Sequence, residues 1–298
     1  NRKFAKDLLR AIAEFLPSLP AKMYFYTQVS LNVAKDEELL RLFHEASFLR
    51  LFIGIETSDS DQLININKKH NVEQDILHSI KTIQSYGITV WAGILFGLDG
   101  DSEQSYEKQY QFIMESGITP VQMGLLQAMP DTPLYDRVIE EGRLIELPQI
   151  MGASGLGDGK NIAASNIMPD SMAEHDRDFL FARTIKRLYA PDAFAQRILD
   201  AEARVNVPTS KVWPALSKTN IAIVGRTLAY YLFKTDRQCK RMFFRMFGAF
   251  FSGKVNNLEE LLFNLIIYKH LRTFYFNLAD SIISNQDANR NENISDQS

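Results

Sequence analysis

Apolar positions in the first half of the chain follow two alternating periods. Phe4, Leu8, Leu9, Ile12 and Phe15 recur at helical spacing, predicting a helix over Lys3–Leu16 that Pro17 and Pro20 terminate. Strand-type runs at Met23–Val33, Leu49–Glu56, Ile88–Phe96 and Val121–Ala128 then alternate with helical patterns at about Asp36–Ala46, Val72–Tyr86 and Glu103–Ser116. Beyond Gly142 the rhythm changes. Leu147–Ile167 is rich in Gly, Ala, Ser and Asn and reads as a long loop that covers a site. From Ser171 the period is helical throughout, with segments at Ser171–Leu188, Pro191–Val205, Asn220–Phe233, Arg237–Phe250 and Leu258–Ile283. Asn285–Ser298 is polar and is expected to be disordered.

Local punctuation agrees with this alternation. Asp59 with Gln62, Asn71 with Gln74 and Asp101 with Gln104 have the spacing of capping boxes, in which a short polar side chain satisfies a free helix N–H and a longer one reaches back. Gly87 and Gly117 each stand between a helix and an isoleucine entering a strand, where a left-handed residue belongs. Strands apolar on both faces and separated by helices require a parallel sheet under helices, so the first half is α/β, either part of a TIM-like barrel or a doubly wound sheet. With four strands in view, the sheet looks incomplete.

Composition narrows the function classes. A chain of 298 residues with 46% hydrophobic and 23% charged residues can bury a sizeable core, and a net charge of −3 lacks the basic surplus of a dedicated nucleic-acid binder. Its one cysteine, Cys239, excludes an intrachain disulfide and any metal site built from several thiolates of this chain. No signal peptide stands out, and Ile221–Phe233 and Leu261–Tyr268 are interrupted or too short to cross a bilayer, so a cytoplasmic protein is expected. The chain opens at Asn1 with a helical pattern already running by Phe4, as a chain beginning in the middle of something would.

Parallel βα architectures bind ligands beyond the C-terminal ends of their strands. The first strand there carries Gln28, Ser30 and Asn32 at alternating positions. The second closes on Glu56, the third on GILFGLDGDS from Gly93, and the fourth on Gln127–Pro133. Each has an ordinary structural role available, as a helix cap, a polar edge or a rigid turn; their coincidence at four successive strand ends favours a shared small-molecule site. The five histidines are scattered, with no pair at metal-ligand spacing, and no metal site is expected. Cys239, between Arg237 and Lys240, reads as a structural thiol, although nearby cations lower a thiol pKa. Phe243, Phe244, Phe247, Phe250 and Phe251 form an aromatic stripe suited to core packing or a partner, with membrane-surface contact a lesser alternative.

In order, FIGIET (Phe52–Thr57), GILFGLDGDSEQSYEKQYQFI (Gly93–Ile113) and LLQAMPDTPLYDRVIEEGRL (Leu125–Leu144) resemble the later part of the catalytic barrel of radical S-adenosylmethionine enzymes, in the branch with an upstream cobalamin-binding domain. GLDGDS stands where that branch often has GLPGET, with Asp99 for a proline and Asp101 for a glutamate. The residues after Asn166 resemble the helical domain that follows that barrel. The resemblance covers about Asn1 to Ile198. With the periodicity and composition above, it gives a partial TIM-like (β/α) barrel of later strands at 1–146, a connecting loop at 147–169, an all-α domain at 170–284 and a disordered tail at 285–298.

For the complete protein the resemblance implies a 4Fe–4S cluster that cleaves S-adenosylmethionine to a 5′-deoxyadenosyl radical, with cobalamin as methyl carrier in a methyltransferase. The family's CxxxCxxC loop is absent here, so the chain reads as a fragment, inactive alone, whose cluster ligands and cobalamin domain lie upstream. Only the organic part of S-adenosylmethionine is left for these residues: Glu56 and Ser30 on the ribose hydroxyls or methionyl amine, Gln28 and Asn32 on the same polar face, Gly93 to Gly97 with Ile94 or Phe96 approaching the adenine, and Gln127, Pro130 and Thr132 edging it. Partners so implied are a small-molecule or lipid substrate and an electron donor, without nucleic acid or a transmembrane segment. Two other readings stay open: a different βα-barrel enzyme using Glu56 as acid or base, and a non-catalytic interaction protein. A sheet missing strands leaves an uncovered edge, so the isolated chain is expected to associate.

Overall fold

The computed structural model describes residues 1–58, 75–145, 165–207 and 217–295. The loop pattern of 147–164, the two capping pairs at Asp59 and Asn71 and the start of the helix at Val72 lie outside them. Four strands, β1 (Phe25–Gln28), β2 (Phe48–Glu56), β3 (Thr89–Phe96) and β4 (Val121–Leu125), form one sheet in the order β1-β2-β3-β4, and all three neighbouring pairs are parallel. The order is sequential, without the reversal that marks a doubly wound sheet.

Helices α1 (Arg2–Phe15), α2 (Glu37–Glu45), α3 (Ile76–Ser85) and α4 (Glu103–Ser116) connect or precede the strands. Each begins on a short polar side chain that accepts from a free N–H: Asn1 from Phe4, Asp36 from Leu39, Asp75 from His78 and Ser102 from Ser105. The expected Asp101–Gln104 box is therefore corrected: Ser102 and Ser105 cap α4 reciprocally, and Asp101 turns inward. Gly87 and Gly117 both take φ +72, as their positions required.

Two strand ends also move. The strand expected over Met23–Val33 stops at Gln28, and Leu31–Lys35 coils into a 3₁₀ turn that buries Leu31 and Val33. The strand expected to reach Ala128 stops at Leu125, and helix α5 (Pro133–Glu140), which the sequence reading did not place, starts on the Thr132 cap with proline in its first turn.

Alternation along the strands divides the sheet. Leu51, Ile53 and Ile55, Val90, Ala92, Ile94 and Phe96, and Val121, Met123 and Leu125 are buried beneath helices. Gln28, Phe52, Gly54, Glu56, Trp91, Gly93, Leu95, Gln122 and Gly124 alternate with them on the other face and stay half-buried or exposed. Helices α6 (Glu174–Leu188), α7 (Pro191–Glu202), α8 (Lys218–Phe233), α9 (Arg237–Phe251) and α10 (Leu258–Ser295) make up the second half, and one hydrophobic core runs through both halves. The polar tail after Asn285 continues the α10 backbone to Ser295. No helix among the described residues is long and apolar enough to cross a membrane.

Candidate functional site

The strand ends meet at one end of the sheet. Glu56 pairs with Ile94, and Phe96 pairs with Leu125, so the tips of β2, β3 and β4 stand side by side. Gln28 lies level with Phe52, about 13 Å short of Glu56 along the strand. Ser30 and Asn32 do not share its face, because the 3₁₀ turn breaks the period of two; Ser30 caps that turn and the Asn32 carbonyl accepts from Arg2 at 3.4 Å.

Glu56 is the most constrained residue of the end. Its φ is +70, a left-handed value that a residue bearing a Cβ adopts at a cost of about 1–2 kcal/mol. Thr57 N–H donates across it to the Ile55 carbonyl at 3.0 Å, closing a γ-turn, and the β2–β3 register shifts at the same point. Gln109 of α4, almost fully buried, holds the turn from behind: its Oε1 accepts from Ser58 N at 3.0 Å and Ser58 Oγ at 2.7 Å, and its Nε2 donates to the Glu56 carbonyl at 3.4 Å. The strained turn is held by Gln109 at the C-terminal end of β2, where Glu56 closes the uncovered face.

Below Glu56 the face is flat. Gly54 and Gly93 pair with each other and Gly124 lies beside Leu95. The Phe52 ring covers Gly93, where an added Cβ would come within 3.3 Å of it. Ile94 and Phe96 point the other way. Ile94 is buried in the helix-covered core, and Phe96 packs 5.1 Å from Tyr106 and 5.5 Å from Phe181, so only their backbone reaches the site. The lower half of the face is closed by α10, whose Phe263 stacks on Trp91 at 6.4 Å and lies 3.9 Å from the Arg50 guanidinium. No described element covers the upper half.

The loops beyond β3 and β4 are clamped. Asp101, buried, accepts from Gly97 N at 2.9 Å and Leu98 N at 3.0 Å, so the Gly97 amide serves the loop rather than a ligand. Gly97 has φ +73 and packs against the aliphatic part of buried Arg177, whose Nη1 donates to the Ile167 carbonyl at 2.5 Å. Asp99 bridges Arg137 and Arg143 at 2.7 Å each. Burial works to raise its carboxyl pKa, and the two guanidiniums overcome this and hold it below the ordinary range. Past β4, Asn166 donates to the Ala128 carbonyl and accepts from its N–H, both at 2.8 Å, and Ser165 donates to the Leu126 carbonyl at 2.5 Å. Gln127 sits between these anchors, half-buried; Pro130 is exposed, and Thr132 is committed to capping α5.

The geometry thus gathers Glu56, Gly93, Gly97 and Gln127 at one end, sets Gln28 lower on the sheet and Ser30 and Asn32 off its face, leaves Pro130 exposed beyond β4, and makes Ile94, Phe96 and Thr132 supports. Sequence reasoning missed Phe52, Gly54, Gln109, Asp101's inward role and Asn166. Gln109 had a signal, a glutamine on the inward stripe of α4 between Tyr106 and Ile113; Asn166 had none. Among the described residues no group of three His, Cys, Asp or Glu could hold a metal ion. Cys239 is buried in α9, and burial pushes its thiol up to about 11, so the nearby cations do not activate it.

A parallel βα sheet with one face under helices and the other clear at its C-terminal end places this molecule among α/β proteins of the βα class. More narrowly, residues 132–283 match the family described as a domain of unknown function, DUF4070, and the chain belongs to that family. It is 37% identical over 198 residues to the hopanoid C-2 methylase of Rhodopseudomonas palustris (strain TIE-1), covering 66% of this chain and 35% of that protein. It is 28% identical over 141 residues to the bacteriochlorophyllide d C-12(1)-methyltransferase of Chlorobaculum tepidum, covering 47% of this chain and 30% of that protein. Among solved structures, it resembles the radical S-adenosylmethionine methyltransferase TsrM from Kitasatospora setae, solved with cobalamin and a 4Fe–4S cluster, with TM-score 0.44 and 15% identity over 87% of this chain and 48% of that one. The chain spans about a third of the length of the curated relatives it matches.

Proposed function

We propose that this chain is the later (β/α) barrel portion (1–146), connecting segment (147–169) and helical domain (170–284) of a cobalamin-dependent radical S-adenosylmethionine methyltransferase. The observation that carries this reading is the 37% identity to a methylase over 198 residues. Sequential parallel strands with helices on one face support it, being the arrangement that a segment of a (β/α) barrel wall has.

On this reading the site holds the organic part of S-adenosylmethionine, which supplies the radical-forming and methyl-donating chemistry when bound. The glycine floor at Gly54 and Gly124 accepts a flat ring without a Cβ in the way, and the Phe52 ring, lying over Gly93, offers it an apolar neighbour. Glu56, at its strained turn, accepts from ribose hydroxyls or the methionyl ammonium, and Gln28 adds a polar contact lower on the sheet. Gln127 edges the ring, its backbone neighbours being held by Ser165 and Asn166. The chain's own residues do not fit an iron–sulfur cluster, since its single thiol is buried and protonated, so no cluster step is assigned to them. The cluster and cobalamin sites belong to the complete protein, together with a small-molecule or lipid substrate, an electron donor and a cytoplasmic location.

Two measurements test this. The source locus upstream of the Asn1 codon is expected to encode a CxxxCxxC motif. The protein expressed with that segment, loaded with iron and sulfide and reduced, is expected to convert S-adenosylmethionine to 5′-deoxyadenosine and S-adenosylhomocysteine, with Glu56→Gln weakening cofactor binding on the order of tenfold to a hundredfold. A loaded cluster without cofactor cleavage overturns the proposal. Turnover of a sugar or phosphorylated substrate without iron, abolished by Glu56→Gln, replaces it with an acid–base barrel enzyme.

A further inference from the structure

The five phenylalanines that form one stripe in the sequence are split by the fold. Phe243 and Phe250 are buried, and Phe247 packs partly against the core. Phe244 and Phe251 are 59% and 65% exposed. The helical period places them on one face of α9 with Arg237, Arg241 and Gly248, all exposed. Helix α8, which packs on α9 through Tyr231 stacked at 5.3 Å on Phe243, adds an exposed apolar surface of its own: Ile221 is 58% exposed and Phe233, at its end, 81%. Arg226 is the one exposed charge on α8 between them.

Charge sets this hairpin apart. From Ser217 to Lys254 there are eight lysines and arginines against one acid, Asp236, in a chain whose net charge is −3. Among the described residues Asp236 is already paired with Arg272, Arg241 reaches Asp192 only at 3.7 Å, and Arg245 donates to the uncharged Gln196 amide oxygen. Exposed aromatics interleaved with cations on a helix of low net hydrophobicity are the signature of a helix that lies in the plane of a membrane interface. There the rings enter the acyl boundary, while the long cationic side chains reach back to the headgroups.

We propose that the α8–α9 hairpin docks on an anionic lipid surface, with Phe233, Phe244 and Phe251 inserted and Arg226, Arg237, Arg241 and Arg245 on the headgroups. Charge complementarity selects this occupant. A second copy meeting the same face would set one cationic hairpin against another. A polyphosphate strand would use the cations and leave the apolar anchors in water.

The test is flotation of the chain with phosphatidylcholine vesicles and with vesicles containing phosphatidylglycerol, a format in which aggregates do not float. Binding is expected only to the anionic vesicles and is expected to fall steeply with salt. Arg237→Gln/Arg241→Gln/Arg245→Gln is expected to lower partitioning on the order of a hundredfold. Phe233→Ser/Phe244→Ser/Phe251→Ser is expected to abolish flotation with an unchanged thermal melt, all three side chains being exposed. A Phe251→Trp probe is expected to shift its emission to the blue on binding. Failure to float with anionic vesicles, or flotation unchanged by both triple variants, overturns the proposal. So does a dimer in sedimentation that the phenylalanine variant dissolves, which assigns the face to a second copy, or tighter binding of a single-stranded oligonucleotide than of vesicles.

Discussion

The two edges of the sheet are finished in opposite ways. On the β4 side, Tyr275 Oη accepts from Met123 N at 3.0 Å and Tyr189 Oη donates to the Val121 carbonyl at 2.6 Å, while their rings stack at 4.5 Å. Two of the groups that another strand would use, the Val121 carbonyl and the Met123 N–H, are thus occupied by tyrosines from the α6–α7 junction and α10. On the β1 side, Tyr26 is 71% exposed, with Met23 and Tyr24 exposed beside it, and α1 turns Phe4 and Phe15 outward. An unpaired strand edge beside an uncovered helix stripe is a template for pairing. The contrast shows that termination of a sheet is a specific chemical provision, supplied here from far along the chain, and that of the two sheet edges only the β1 edge is left prone to association.

Consequences of that contrast can be ranked by size. The isolated chain is expected to self-associate at micromolar concentration, and Phe4→Ser/Phe15→Ser/Tyr26→Lys to shift it to a monomer in light scattering; a monodisperse unmodified chain would break the comparison outright. On the sealed side, Tyr189→Ala is expected to cost about 3–5 kcal/mol in urea unfolding through the cavity it leaves among Phe194 and Tyr275, against about 1–2 kcal/mol for Tyr189→Phe, which removes only the hydroxyl.

A pH dependence sits elsewhere, where Glu202 and Glu260 line a cavity with Leu49 and Thr89 at the starts of β2 and β3. Burial first, and then the charge of Glu260, raise Glu202 from the ordinary 4.5 to about 7. Between those values the folded chain keeps a proton that the unfolded chain has released. This stabilisation is therefore present below pH 4.5 and is lost as pH rises through 7, by about 3 kcal/mol, and Glu202→Gln is expected to flatten the profile. The smallest effect is at the strained turn: Glu56→Gly is expected to be about 1 kcal/mol more stable than Glu56→Ala, because only glycine relaxes at φ +70. Equal stabilities would show that the turn stores no strain.

Much of this molecule was legible from residue spacing. The limits of α4, Glu103–Ser116, follow from its amphipathic period and the glycine after it, and the start of α9 at Arg237 from its own period. What failed did so where tertiary contacts override a local pattern. Ser30 and Asn32 look like strand positions, yet burial of Leu31 and Val33 favours a 3₁₀ turn. Asp101 has the spacing of a cap, yet two backbone N–H groups within its own loop hold it more strongly in a buried setting. Ile94 and Phe96 stand at the right strand end, and only the pleat decides that they face the helices.

The sequence by itself determined the alternation of strand and helix, the parallel sheet that two-faced apolar strands demand, and the end of that sheet where polar residues collect, because period and burial are local consequences of side-chain chemistry. Only the tertiary structure decided which face stayed clear, that Gln109 would brace the strained Glu56 turn, that tyrosines from two distant helices would close the β4 edge, and which phenylalanines of one stripe would face water. Those outcomes depend on partners separated by tens to hundreds of residues, and no periodicity along the chain encodes which distant side chain arrives.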